Sequence, residues 1–84
     1  MPTPQDKQRT RAFRAWLTSI DGDLDHAQAI TGINRRTIER MRDGTRPPPV
    51  RLFDELATDA ARRGHEALAG ELAGAAAPIG TPHA

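Results

Sequence analysis

Apolar and polar residues alternate with helical spacing along the first part of the chain. Phe13, Trp16, Leu17 and Ile20 fall at i, i+3, i+4 and i+7, with Ala12 beside them, which is one stripe of an amphipathic helix. Residues 5–20 contain neither Gly nor Pro, so the pattern predicts a helix over that span. Thr3 or Pro4 can start it, and Asp21-Gly22-Asp23 stops it, with Gly22 free to take a positive φ. Trp16 lies inside the stripe and is expected in the core.

A second, short helix is predicted over 24–30, capped by Asp23, with Leu24, Ala27 and Ile30 or Thr31 facing inward. Thr31-Gly32-Ile33-Asn34 breaks it. Gly32 suits a left-handed turn position, Ile33 plugs the turn into the core, and Asn34 caps the next helix. That third helix covers 35–42 and has only Ile38 and Met41 as large apolar residues, at i and i+3. One narrow stripe is buried, and the rest faces water or a partner. Asp43-Gly44-Thr45 closes the helix, and Arg46-Pro47-Pro48-Pro49 reads as a rigid connector rather than a polyproline ligand, because it joins two apolar-periodic segments.

Pro49 is placed to begin a fourth helix reaching about residue 63, with Val50, Phe53, Leu56, Ala57 and Ala60 inside and Gly64 at its end. A last helix over 65–73 carries Leu68 and Leu72 at i and i+4. The fold class expected is all-α, a compact bundle of four to five short helices containing a helix-turn-helix. Residues 1–73 form the domain, with the last helix (Leu68 and Leu72) or the exposed side of the fourth as candidate dimer surface, and the Ala/Pro/Gly-rich stretch 74–84 is expected to be a flexible tail.

Composition narrows the function. Of 31 apolar residues among 84, 14 are alanine, so one thin core is available and a deep catalytic pocket is disfavoured. The absence of cysteine removes disulfides, thiol catalysis and cysteine-based zinc sites. No apolar run approaches the ~18–20 residues that span a bilayer, and the N-terminus does not read as a signal peptide. A soluble, cytoplasmic protein is expected. His26, His65 and His83 are scattered, Ser19 is the only serine, and there is no tyrosine. Neither an enzyme, a metal site, a cofactor nor a small-molecule ligand is implied.

The net charge of +1 conceals strong polarisation. Residues 1–19 carry +3, residues 20–33 carry −3 through Asp21, Asp23 and Asp25, and residues 34–51 carry +4. The remainder carries −3. All the cations of the third block are arginine: Arg35, Arg36, Arg40, Arg42, Arg46 and Arg51. Arginine is the side chain suited to bidentate bonds with phosphate and guanine.

The segment from Leu24 to Met41, a short helix, a turn of Gly followed by an apolar plug, and a helix with a narrow buried stripe, reads as a helix-turn-helix. With Gly44-Thr45-Arg46-Pro47 and an apolar helix after it, the region of about residues 10–63 resembles the phage Cro and repressor type of helix-turn-helix protein. It is similar to small phage- or plasmid-encoded transcriptional repressors. The resemblance makes Ala27, Gly32, Ile33, Ile38 and Met41 the structural core of the motif. It also implies that the first, second and sixth residues of the third helix, Arg35, Arg36 and Arg40, reach base edges, where arginine favours guanine. Asn34 matches the family's turn residue and is a candidate for bonding phosphate as well as capping. Gln28 departs from the alanine often found there, and Leu24 stands where a phosphate-contacting glutamine is common.

From the residues themselves, Glu39 is either an acceptor for cytosine N4 or a salt-bridge partner holding Arg35 or Arg42. Thr37 is either a phosphate contact or a small residue packed on the second helix. Thr45, Arg46 and Arg51 are candidates for backbone phosphate. Lys7, Arg9 and Arg11 are candidates for further phosphate contacts. The leading expectation is a DNA-binding repressor acting as a homodimer on a two-fold, double-stranded operator, without a membrane partner. The alternatives are a protein-interaction module, such as an antitoxin or adaptor, and a DNA-targeting subunit of a recombination complex.

Overall fold

The computed structural model describes residues 4–76, apart from the side chain of Gln5, and places them in five α-helices with no strand. These are α1 (Pro4–Ser19), α2 (Leu24–Thr31), α3 (Arg35–Asp43), α4 (Leu52–Arg62) and α5 (Glu66–Ala76). The all-α class read from the periodicity is the observed one. α5 packs along α4 and α1, while α2 packs on α3 and α4, and α3 also meets α1. Among the described residues, no helix is long and apolar enough to cross a membrane.

The stripe of α1 is buried as its spacing requires: Ala12, Phe13 and Trp16 are inaccessible and Leu17 nearly so. α1 ends because Asp21 and Gly22 take φ of 58° and 70°, and the Gly22 amide returns to the Leu17 carbonyl at 2.8 Å. Phe53, Leu56, Ile38, Met41 and Leu72 complete the fully buried large side chains with Phe13 and Trp16.

Two helix boundaries differ from the sequence expectation. α4 starts at Leu52, not Pro49, because residues 50 and 51 form a turn in which the Leu52 amide bonds the Pro49 carbonyl and the Phe53 amide bonds Val50. Val50 is consequently 40% exposed instead of lining the core, and Leu52 takes the buried place at the helix start. Pro48 is the buried residue of the proline tract, which matches the connector role. α5 continues past Ala73 to Ala76, since Ala75 is buried and its carbonyl accepts Arg9 Nε at 3.3 Å. Residues 74–76, expected in the tail, are helical, and residues 77–84, with Ile79 and His83, lie outside the described residues, as does Met1.

One buried carboxylate ties three helices together. Asp59 on α4 is 5% exposed. Its Oδ2 accepts Trp16 Nε1 of α1 at 3.0 Å, and Arg63 Nε and Nη2 at 3.0 and 2.7 Å. Its Oδ1 lies 3.3 Å from His26 Nε2 of α2. Arg63 continues the network to α1 by donating to the Ser19 carbonyl and hydroxyl, both at 3.0 Å. Burial alone pushes the Asp59 carboxyl up, but the bonds from Arg63, Trp16 and His26 and the Arg63 charge outweigh it, so the group sits below its ordinary value of 3.8. A carboxyl depressed in the folded state contributes stability above its unfolded pKa and loses it as pH falls through the folded one.

Asp59→Ala strands the Arg63 guanidinium and the Trp16 indole, and is expected to cost about 3 kcal/mol in urea unfolding. The wild type should lose stability below about pH 4. In the variant that part of the acid dependence should be missing, which parallel unfolding curves at pH 3 and 7 will show.

Candidate nucleic-acid interface

The α2–turn–α3 unit is held by local bonds that the sequence dictates. Asp23 Oδ1 accepts the amides of Asp25 and His26 at 3.0 and 3.1 Å, which caps α2. Gly32 then takes φ 71° and ψ 13° and returns its amide to the Gln28 carbonyl, a left-handed cap that glycine adopts without steric cost. The Thr31 hydroxyl stiffens the turn, donating to the Ala27 carbonyl at 2.7 Å and accepting the Ile33 amide at 3.1 Å. Ile33 is half-buried against the core. Asn34 Oδ1 accepts the Thr37 amide at 2.9 Å and starts α3.

Ala27, Ile38 and Met41 are inaccessible, so the residues expected to form the motif's core all occupy core or turn positions. Gln28 is half-buried between α2's inner and outer faces. At the far end of α3, Gly44 takes φ 84°, and the amides of Thr45 and Arg46 both bond the Arg40 carbonyl, at 3.0 and 3.3 Å.

With Ile38 and Met41 inward, the opposite side of α3 is left with Arg36 and Arg40 one turn apart. Both are exposed, and neither makes an ion pair or side-chain hydrogen bond among the described residues. Arg35 is also exposed but reaches back to Asp25 Oδ1 at 3.3 Å, with the two side chains 57% and 84% accessible. Exposed pairs of this kind are worth only about 0–1 kcal/mol, so the contact orients Arg35 without sequestering it.

Glu39 is half-buried and forms no ion pair among the described residues. The salt bridge to Arg35 or Arg42 considered from the sequence is not made: Arg35 turns to Asp25, and Arg42 Nε lies 3.6 Å from Asp43. An Arg N-terminal to Glu at i, i+4 is the weaker orientation of such a pair. Thr37 is half-buried on the flank of α3, while Asn34, Thr45, Arg46 and Arg51 are exposed.

α1 sorts its cations differently from the sequence expectation. Arg9 is turned inward, its side chain 12% exposed, bonded to the Ala75 carbonyl and 3.9 Å from Asp6. It fastens α1 to α5 and leaves the set of phosphate candidates, because the alanine-rich α5 offers it a free helix-end carbonyl. Lys7 and Arg11 stay exposed, and Arg14 Nε donates to the Arg42 carbonyl near the end of α3. Leu72, expected on a dimer surface, is instead fully buried inside the chain, with Leu68 half-buried.

Sequence reasoning missed Asp59 and Arg63 as the anchor of this unit and treated His26 as isolated. A signal existed: a buried tryptophan needs an acceptor for its N–H, and Asp59 and Arg63 stand at i and i+4 on a face otherwise apolar.

Asn34→Ala removes the α3 cap and is expected to lower stability by about 1 kcal/mol. Hydrogen exchange of the Thr37 amide should accelerate, while that of Leu56 in α4 should change only by the global loss. No protein-family model, no curated protein sequence and no solved structure matches this chain, so its functional reading rests on the arginine-bearing face of α3 and the turn that holds it.

Proposed function

We propose that the chain is a sequence-specific DNA-binding repressor that inserts α3 into the major groove. The observation that carries this reading is the pair Arg36 and Arg40, exposed and unpaired among the described residues on a helix pinned from behind by Ile38 and Met41. A nine-residue helix is about 13.5 Å long, and the major groove is about 12 Å wide and admits one helix. Arg36 and Arg40 read base edges, with guanine favoured through O6 and N7, and Arg35 joins them after leaving the exposed Asp25. Glu39, without an ion partner among the described residues, is the acceptor for cytosine N4. Asn34, Thr37, Thr45, Arg46 and Arg51 contact phosphates and set register.

One such helix reads only about four or five base pairs, too few for selectivity in a genome. The chain therefore acts as a homodimer on a two-fold operator with half-sites about 34 Å apart. Repression works by occupying a promoter. The dimer contact does not use Leu72, which the monomer already buries.

Fluorescence anisotropy on a duplex selected from random DNA tests the proposal. With about six phosphates engaged per monomer, log K is expected to fall with log salt at a slope near −5 per monomer, about −10 for the dimer. Arg36→Ala should erase the preference for the selected site, by about 1–3 kcal/mol. Arg46→Ala should weaken all duplexes about equally. A flat salt profile would instead favour a protein partner for the arginine face.

A further inference from the structure

A groove of about 650 Å³ lies between α1 and the turn that follows α3, lined by Lys7, Thr10, Arg11 and Arg14 on one side and Gly44 and Thr45 on the other. The cations come from one face of α1, at i, i+4 and i+7, and belong to a different helix from the one that reads bases. Lys7 and Arg11 are exposed and make no ion pair or side-chain hydrogen bond among the described residues. Arg14 spans the groove: its Nε donates to the Arg42 carbonyl, and its Nη2 comes within 3.7 Å of the position a Cβ on Gly44 would take. Asp6, the carboxylate of the lining, is drawn toward Arg9, which is committed to α5. The groove is therefore a positively charged channel that begins where α3 ends.

We propose that this groove grips the phosphodiester backbone flanking the major groove that α3 enters, so that α1 is a second, sequence-blind DNA-contacting element. The inference rests on the DNA-binding reading of α3. A helix about as long as the major groove is wide brings its terminal turn, Gly44-Thr45, to the bordering strand when it lies across that groove. Lys7 and Arg14 are separated by about 10 Å along the axis of α1, which equals about three base-pair steps of rise along the duplex axis at about 3.4 Å each. Gly44 leaves the space beside Arg14 without a side chain. Its φ of 84° also makes any other residue strained there.

The test is the salt dependence of the full chain on its selected duplex. Removing two phosphate contacts per monomer with Lys7→Gln and Arg11→Gln together should make the log–log slope shallower by about 2 per monomer, about 4 for the dimer, with the base preference unchanged. Each single substitution should give about half of that. Arg62→Gln removes an exposed cation beside Asp54 and Glu55, away from the groove, and should leave the slope as it is. In the unmodified protein, adding duplex should shift the amide resonances of Lys7 and Thr10, a readout that needs no variant. The proposal is overturned if those resonances stay still, if the double variant keeps the full slope while Arg36→Ala still loses selectivity, or if Arg62→Gln lowers the slope as much as either groove variant. The first two leave the reading of α3 standing, whereas a wild type that ignores duplex DNA at low salt removes that reading and the groove with it.

Discussion

The arrangement of the bundle depends on the carboxylate of Asp59. It lies in the core next to an indole from α1, a guanidinium from the residue that caps α4 and an imidazole from α2. A charge so deeply placed is tolerable only when its acceptor sites are filled by strong donors. That requirement is what aligns the helices. Apolar contacts among Trp16, Phe53 and Leu56 supply attraction without direction, whereas bonds of 2.7 to 3.3 Å to two oxygens of one group fix how α2 sits against α4 and α1. α2 has only Ala27 fully buried, so its own packing is slight. Its N-terminal cap and the His26 contact compensate for that.

The consequence is carried to α3 through three residues. Gly32, Ile33 and Asn34 leave little slack between α2 and α3, because the Thr31 hydroxyl and the Asn34 carboxamide take up the amides of Ile33 and Thr37. Once α2 is located by Asp59, the arginine face of α3 is located too. Ile38 and Met41 then need only hold the helix down. The long guanidinium side chains remain in water, where their desolvation costs nothing until a partner arrives. The charge pattern is consistent with this division, with acidic side chains just before and at the start of α2 and on α4, and cations on α3 and along one side of α1.

Much of this was legible in one dimension. The α1 stripe, the Asp23 and Asn34 caps, the Gly32 turn and the Ile38 and Met41 pair are all local, each set by spacing or by a side chain bonding its own backbone a few residues away. Boundaries next to the prolines were not legible. Pro49 is well suited to open a helix, but the packing of Pro48 and Leu52 bends the chain before it, and Val50 is left outside. The alanine-rich end of α5 looked like a fraying tail because alanine and glycine carry no stripe. Burial of Ala75 and the Arg9 bond to its carbonyl keep it helical.

From the sequence alone came the helix inventory, the identity of the turn and the outward placement of Arg36 and Arg40, since a helix of 3.6 residues per turn assigns faces by counting. Only the tertiary structure decided which charges are spent inside the protein and which remain for a partner. Arg9 and Arg63 look no different from Arg11 and Arg36 on paper, yet each finds a backbone carbonyl on a distant helix. Such pairings depend on distances between elements far apart in the chain, and no periodicity encodes them.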